Sequence, residues 1–161
     1  MNPRILLFVA LFLIGFAAFG VSGASASGGP PESPLKTLAR KYAKENGIPE
    51  EIVFGLIMTE SSWNPDAINP LDPSFGLMQI TSGVFHDYGY PLASREEMLN
   101  PEINIIVGCA YLADLISRNG LYTGIQMYNI GEAGYIKHGH RAPAYLDKII
   151  NYAKTLYGWE G

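Results

Sequence analysis

The stretch from Ile48 to Ile80 limits most strongly what this chain can fold into. In it, apolar residues at helical spacing are followed by a proline-rich segment that ends the helix. Pro49 and two glutamates open the series, as is typical of the first turn of a helix. Glu60 continues the series just before Asn64-Pro65 ends it. The apolar positions at helical spacing are Val53, Leu56 and Ile57. The pattern predicts an amphipathic helix over Ile48–Ser61, with Glu60 on its apolar face at the C-terminal end.

Two effects are expected to raise the pKa of Glu60. Partial burial and the negative end of the helix dipole both disfavour the ionised carboxylate. We therefore predict a raised pKa and a proton available near neutral pH, as general acid catalysis at a glycosidic oxygen requires. The alternative, which periodicity alone favours, is a surface glutamate at a frayed helix end.

Further short motifs follow Glu60 in a specific order. They are Glu60-Ser61, Asn64-Pro65, Gly76-Leu77-Met78-Gln79-Ile80, then Asn104, Gly108, Tyr111 and Leu112, then Tyr128-Asn129 and Tyr145. This order resembles the signature of the soluble-type lytic transglycosylases, which are relatives of goose-type lysozyme. The resemblance covers nearly the whole segment from Leu35 to Tyr157, so agreement by chance is improbable.

The resemblance implies an all-α fold, or α with minor β. We expect a compact lysozyme-like bundle of roughly six to eight short helices. Its saccharide-binding groove is expected between the Glu60 helix, the Gly76–Ile80 loop and the last two helices.

The resemblance also implies non-hydrolytic cleavage of the β-1,4 bond between N-acetylmuramic acid and N-acetylglucosamine in peptidoglycan glycan strands. Glu60 is the implied catalytic residue, first as acid and then as base. The implied substrate-binding residues are Met78, Gln79, Tyr128, Asn129 and Tyr145. By residue type alone, Met78 and Gln79 are core filler and a surface amide, and Tyr128-Asn129 is a packing tyrosine with a helix-capping asparagine. No cofactor is implied.

Two other functions remain open from the residues. A lysozyme-type hydrolase on the same fold differs in letting water capture the intermediate, and an inverting hydrolase needs a second carboxylate about 6.5–9.5 Å from the first. Asp66 and Asp72 are the candidates for that carboxylate. A catalytically silent peptidoglycan-binding protein, or a structural envelope or phage protein, is the third possibility, and the presence of Glu60 argues against it.

The rest of the chain predicts helices with clear start and stop signals. We expect helices over Pro34–Asn46, from Thr81 or Ser82 to Phe85, after the capping box Ser94-x-x-Glu97, from Asn100 to Arg118, over Thr123–Ile130 and from Pro143 onward, with Glu132–Arg141 as an exposed loop. The Asn100 helix is expected to be central, because apolar residues surround most of it. On it, Gly108 is expected to allow close helix approach, and Asn104 and Tyr111 to be buried, satisfied polar groups.

The N-terminal residues 1–26 are predicted to be a secretory signal peptide. Arg4 precedes the apolar run Ile5–Val21, and Ala24-Ser25-Ala26 provides a small-residue cleavage site. An uncleaved anchor is the alternative, since the run is at the short end for a membrane span. Residues 27–33 are read as a linker and 34–161 as the domain. The protein is thus expected to be exported to the periplasm or cell exterior, without stable membrane association after cleavage.

Charge and cysteine content exclude some partners and sites. The net charge is −4, and loss of Arg4 with the leader makes it more negative, so no attraction to nucleic acid is expected. Cys109 is the only cysteine, so no intramolecular disulfide forms, and burial explains it best. No metal site is predicted, because His138-Gly139-His140 lacks four-ligand spacing. We expect a monomer.

Overall fold

A computed structural model describes residues 32–161 of this chain. The helices are α1 (Pro34–Glu45), α2 (Glu50–Glu60), α3 (Ser82–Asp87), α4 (Arg95–Leu99), α5 (Pro101–Asn119), α6 (Leu121–Ile130), α7 (Glu132–Lys137) and α8 (Pro143–Tyr157). The strands are β1 (Ile68–Asn69), β2 (Ser74–Phe75) and β3 (Ile80–Thr81). The predicted class, a helical bundle with minor β, is confirmed. The predicted signal peptide and most of the linker lie outside the described residues.

Helix α2 packs against α8 and α1. All six residues from Ile52 to Ile57 are buried, so the helix is enclosed on nearly every side. This corrects the predicted amphipathic helix, whose outer face is in fact covered by α8. Gly55 explains the close packing, because a methyl group there would lie 2.7 Å from the backbone oxygen of Ile149 on α8.

Helix α5 packs mainly against α6 and also contacts α1, α3, α4 and β3, in agreement with its expected central position. Its predicted start is confirmed, since the Asn100 side chain accepts hydrogen bonds from the backbone N–H groups of Glu102 and Ile103. Gly120 ends it with φ of +79°, as its predicted stop signal requires. Cys109 is buried in this helix, as expected.

The three strands form a small antiparallel sheet in the order β1-β2-β3. The turns between them contain the proline-rich loop and the Gly76–Ile80 motif. Short α3 and α4 follow, with the predicted caps in place at Thr81 and Ser94. The sheet therefore holds the motif loop next to the helical layer.

Two predicted boundaries are wrong. The segment Glu132–Arg141, predicted to be a loop, begins with helix α7. Gly131, with φ of +73°, separates α7 from α6, and Glu132 stands in the first helical turn, where a carboxylate is favourable. Helix α6 begins at Leu121 rather than Thr123, directly after Gly120.

Among residues 32–161, no helix is both long enough and apolar enough to cross a membrane.

Candidate active site

Glu60 is the last residue of α2 and is partly buried. Ser61 caps the helix, and its hydroxyl donates to the backbone oxygen of Leu77 at 2.8 Å. Ser62 and Trp63 then adopt left-handed backbone conformations, with φ of 52° and 65°. Such conformations are costly for residues other than glycine, so they mark a turn that the surrounding structure enforces. The end of α2 is thus fixed to the Gly76–Ile80 motif.

Tyr145 on α8 reaches the carboxylate of Glu60. Its hydroxyl donates a hydrogen bond to Glu60 Oε1. The two helices approach closely at Gly55, which brings the C-terminal end of α2 near the N-terminal half of α8. The tyrosine is itself partly buried, so the bond is sheltered from water. The sequence-predicted pair of Glu60 and Tyr145 is therefore in direct contact.

Burial is the main cause of an unusual acidity at Glu60. It raises the pKa of the carboxyl to about 7, from an ordinary value of 4.5. The hydrogen bond from Tyr145 and the positive charge of Lys148 both favour the ionised form and oppose the rise. The predicted direction of the pKa shift is confirmed. A carboxyl with a pKa near neutrality can both give and take a proton under physiological conditions.

Helix α5 holds the Gly76–Ile80 motif in place through Asn104. Asn104, fully buried, accepts from the backbone N–H of Met78 at 2.8 Å and donates to the backbone oxygens of Phe75 and Met98. Gly76 has φ of +72°, and a methyl group there would meet the Asn104 amide at 2.5 Å. The expectation that Asn104 is a buried, satisfied polar group is confirmed.

Met78 and Gln79 use their side chains inside the protein. Met78 is 0% exposed and packs over Gly108, where a methyl group would lie 2.4 Å from its sulfur. Gly108 thus allows close approach of the loop rather than of another helix. The Gln79 amide donates to the backbone oxygens of Ala67 and Gly76 and accepts from the Ser74 hydroxyl. Both side chains thus make their contacts inside the protein, and their sugar contacts stay a prediction.

Tyr128 and Asn129 lie at the C-terminal end of α6. The Tyr128 hydroxyl donates to the backbone oxygen of Met78 at 2.8 Å, which ties α6 to the motif loop. Burial, with a smaller effect from the charge of Glu60, raises the pKa of Tyr128, so its hydroxyl remains protonated. Asn129 is exposed. Tyr145 therefore contacts the carboxylate of Glu60 directly, whereas Tyr128 is hydrogen-bonded to the motif loop.

A second carboxylate beside Glu60 would raise its pKa further by repulsion. Within residues 32–161, the neighbouring groups that act on the pKa of Glu60 are Tyr145 and Lys148, and no carboxylate is among them. Asp66 and Asp72 are both exposed on the proline-rich loop. Among residues 32–161, the charge of another carboxylate is thus not a cause of the raised pKa of Glu60.

A shallow pocket of about 560 Å³ lies elsewhere on the surface. Its lining residues are Asp66, Arg95, Glu96, Leu99 and Asn100. This pocket includes none of Glu60, Tyr128 and Tyr145.

Sequence reasoning missed two contributors to the site. Gly55, inside the apolar run, sets the distance between α2 and α8, and its signal was an isolated glycine within a helical pattern. Lys148, one helical turn beyond Tyr145, contributes positive charge at Glu60, and nothing in the local sequence marks it. Tyr111 was misjudged, since it is only half-buried and its hydroxyl has no hydrogen-bond partner among residues 32–161.

Metal-binding groups are not assembled in the described residues. No cluster of three or more histidine, cysteine or acidic side chains with metal-binding geometry occurs between residues 32 and 161. His138 and His140 lie near each other, with ring centroids 5.7 Å apart, on the exposed segment after α7.

Comparison with known proteins shows similarity over most of the described domain. The model of the family described as the transglycosylase SLT domain matches residues 37–151. Membrane-bound lytic murein transglycosylase C of Serratia proteamaculans is 39% identical over 95 residues, which cover 55% of this chain and 26% of that protein. Its counterpart in Yersinia pestis is 40% identical over 97 residues, with the same coverage of 55% and 26%. This chain thus matches about a quarter of the length of these relatives.

Solved structures give the same picture for the fold. An inactive glutamate-to-glutamine mutant of lytic transglycosylase Slt from Pseudomonas aeruginosa superposes with a TM-score of 0.56 at 25% identity, covering 78% of this chain and 23% of that one. The 70 kDa soluble lytic transglycosylase in complex with bulgecin A gives a TM-score of 0.56 at 26% identity, covering 74% and 19%. The lysozyme-like helical fold is therefore confirmed.

Proposed function

We propose that this chain, which belongs to the transglycosylase SLT domain family, cleaves the β-1,4 bond between N-acetylmuramic acid and N-acetylglucosamine in peptidoglycan without using water. The observation that carries the proposal is the carboxyl of Glu60, whose pKa burial raises to about 7 and which accepts a hydrogen bond from Tyr145. The named relatives are lytic murein transglycosylases, which supports the same substrate class.

The first step needs a proton at the leaving oxygen. Protonated Glu60 donates it to the glycosidic oxygen as the bond to C1 of the muramic acid breaks. The leaving N-acetylglucosamine departs with a new hydroxyl group, and the substrate's own 2-acetamido group stabilises the positive charge at C1. Glu60 is then a carboxylate, which the Tyr145 hydrogen bond and the Lys148 charge stabilise.

The second step uses Glu60 as a base. The carboxylate accepts the proton of the 6-hydroxyl group of the same muramic acid, and the oxygen attacks C1. The product carries a 1,6-anhydro ring, and Glu60 is again protonated. A pKa near neutrality suits both steps, because neither protonation state is strongly favoured over the other.

The residues around Glu60 have distinct proposed roles. Tyr145 holds the carboxyl in position, and Tyr128 fixes the motif loop that forms one side of the groove. Asn129 is exposed beside Tyr128 and has an amide suited to an acetamido or hydroxyl group of the sugar. Met78 and Gln79 support the loop from within.

The proposed substrate requires that the chain be exported, which concerns the N-terminal apolar segment. Peptidoglycan lies outside the cytoplasmic membrane, and the apolar run Ile5–Val21 with Ala24-Ser25-Ala26 supports export of the chain. N-terminal sequencing of the exported protein tests this, since cleavage near Ala26 is expected. A chain still starting at Met1 in the membrane fraction would favour an anchor.

The activity is tested on purified peptidoglycan with matched variants. The unmodified protein should release soluble fragments, and Glu60→Gln should abolish release, because an amide of the same shape has no proton to donate near neutral pH. Glu51→Gln, on the same helix but in its first turn, is the control and should keep activity. Circular dichroism verifies that both variants fold. Full activity of a folded Glu60→Gln variant would contradict Glu60 as the acid.

A further inference from the structure

The turn that follows Glu60 has a strained backbone. Ser62 and Trp63 both have positive φ, 52° and 65°, in the left-handed region that favours glycine. A bulky residue is rarely found there, because its Cβ atom lies too close to a backbone carbonyl oxygen. Such a turn keeps its shape only where contacts elsewhere in the protein hold it. The side chain of Trp63 makes contacts of this kind.

Trp63 is held by α2 and α8 together. Its indole N–H donates a hydrogen bond to the Tyr157 hydroxyl at 3.0 Å, and Tyr157 is the last residue of α8. The Phe54 ring centroid lies 5.5 Å from that of Trp63 and 5.3 Å from that of Tyr157, both edge to face. Phe54 is buried in α2, and this ring geometry is favourable. We call Phe54, Trp63 and Tyr157 the aromatic clasp.

Lys36 of α1 adds a charged contact to the aromatic clasp. Its ammonium nitrogen lies 5.9 Å from the Trp63 ring centroid and 5.2 Å from that of Tyr157. An ammonium group at such a distance is attracted to the face of an aromatic ring. The side chains of α1, α2 and α8 therefore all meet at the residue that ends the strained turn.

The aromatic clasp is connected to Glu60 through the end of α2. Glu60 is the last residue of that helix, and Trp63 follows it by three residues. A change in the turn therefore reaches Glu60 through a very short piece of backbone. Helix α8 contacts this region twice, through Tyr145 at the carboxyl of Glu60 and through Tyr157 at the turn. The carboxyl is thus fixed both at its own oxygen and through the backbone that follows it.

We propose that Trp63 and Tyr157 are positioning residues for Glu60, because their hydrogen bond holds the strained turn and the turn holds the Glu60 carboxyl in its partly buried place. This rests on the proposed function, since the place of the carboxyl matters to the reaction only if Glu60 is the acid. Neither residue has to touch the substrate. Loss of the hydrogen bond lets the end of α2 relax and admits water to the carboxyl.

Conservative variants test the aromatic clasp through the rate of peptidoglycan digestion. Tyr157→Phe and Trp63→Phe each remove one partner of the hydrogen bond and keep an aromatic ring. Each should lower the initial rate about fivefold, which corresponds to the loss of one hydrogen bond between neutral groups. The double variant should lose less than the product of the two single losses, because both changes remove the same bond. Tyr122→Phe on α6 and Trp159→Phe, after the end of α8, are the matched controls and should keep the rate.

The pH–rate profile separates positioning from a general loss of stability. If the end of α2 relaxes, water reaches Glu60 and its pKa falls, so the decline in rate moves to lower pH. A variant that is only less stable keeps the decline in place. Tyr145 and Lys148, which also act on the pKa of Glu60, are unchanged in both variants. Unchanged rates, or a decline that stays in place, would overturn the positioning role.

A second measurement needs no enzymatic turnover and uses Tyr157→Phe, which keeps every ring of the aromatic clasp even if Trp63→Phe does not fold. Urea unfolding at a series of pH values reports the pKa of Glu60 in the folded state. The pH range over which the free energy of unfolding falls should end at a lower pH than in the unmodified protein. An unchanged range would overturn the positioning role.

The outcome is separable from that of the proposed function. If the unmodified protein digests peptidoglycan and the Tyr157→Phe and Trp63→Phe variants behave like it, the positioning role is wrong and the function stands. If peptidoglycan is not digested but Tyr157→Phe shifts the pH range of unfolding, the aromatic clasp does position Glu60 and the function is wrong.

Discussion

The Tyr145 hydroxyl donates a hydrogen bond to the carboxylate of Glu60, although Tyr145 follows Glu60 in the chain by 85 residues. The contact depends on the close packing of α2 and α8 at Gly55. It stabilises the ionised carboxylate, while burial stabilises the protonated one. The balance of these effects places the pKa of Glu60 at about 7.

Tyr145→Phe removes the hydroxyl and keeps the ring. A hydrogen bond to a charged group contributes about 1.5–3 kcal/mol, so we expect roughly a tenfold or greater loss in kcat/KM. The pKa of Glu60 should rise further, because its carboxylate loses a donor. The pH–rate profile of purified-peptidoglycan digestion measures both. Tyr152→Phe, on the same helix, is the control. Equal activity of the two variants would show that Tyr145 serves only in packing.

The pH–rate profile of the unmodified protein should show a decline as pH rises through about 7, where Glu60 loses its proton. Lys148→Met removes a charge that lowers the pKa of Glu60, so it should move this decline to higher pH. Lys154→Met, also on α8 but near the Trp159 ring, should leave the decline in place. A profile that Lys148→Met does not alter would show that this charge does not reach Glu60.

Stability should depend on pH through the same group. The folded-state pKa of Glu60 is raised above its ordinary value. Below about pH 4.5 the carboxyl is therefore protonated in both the folded and the unfolded state and does not lower the free energy of unfolding. Between about 4.5 and about 7 the folded state holds more protons than the unfolded state, so the free energy of unfolding falls as pH rises. The total loss is on the order of 3 kcal/mol. Urea unfolding at a series of pH values measures this slope, and Glu60→Gln should flatten it. An unchanged slope in that variant would contradict the raised pKa.

Gly55→Ala should destabilise the protein and reduce activity together. The added methyl group would meet the Ile149 backbone oxygen at 2.7 Å, so α8 must move away from α2. We expect a loss of roughly 1–3 kcal/mol in the free energy of unfolding, with Tyr145 drawn away from Glu60. Gly83→Ala on α3 is the control, because its nearest neighbour is at 3.9 Å and alanine favours helix by up to about 1 kcal/mol. Thermal melts with peptidoglycan digestion compare the two. Normal activity in Gly55→Ala would show that the close packing of α2 and α8 is not needed for the function of the site.

Helix positions were predictable where capping residues and glycine stops mark the ends. Asn100, Ser94 and Thr81 each cap the helix that the sequence assigns to them. Helix α7 was missed because it is short, exposed and follows α6 after a single glycine, so it has little apolar periodicity to detect. The enclosure of α2 was missed because local periodicity does not show which neighbour covers a face.

The raised pKa of Glu60 was predictable, but the surroundings of its carboxyl were only partly so. Periodicity alone favoured a surface glutamate at this position, and the motifs that follow Glu60 turned the prediction toward a buried acid with a raised pKa. The effect of Lys148 and the commitment of Gln79 to backbone oxygens depend on tertiary contacts between distant segments. Tyr111 was expected to be a buried, satisfied polar group, whereas it is half-buried and its ring packs against those of Tyr88 and Tyr128.

The central claim is that a single acid, without a second carboxylate, completes the reaction through the substrate's own hydroxyl. Digestion of purified peptidoglycan in ¹⁸O-labelled water, followed by mass spectrometry of the products, tests it most directly. Intramolecular capture by the 6-hydroxyl group yields 1,6-anhydro ends that contain no solvent oxygen, and these should be the main product. Reducing ends labelled with ¹⁸O as the main product would contradict the account, would identify a hydrolase that still uses Glu60 as its acid, and would make Asp66 and Asp72 the candidates for the base that activates water.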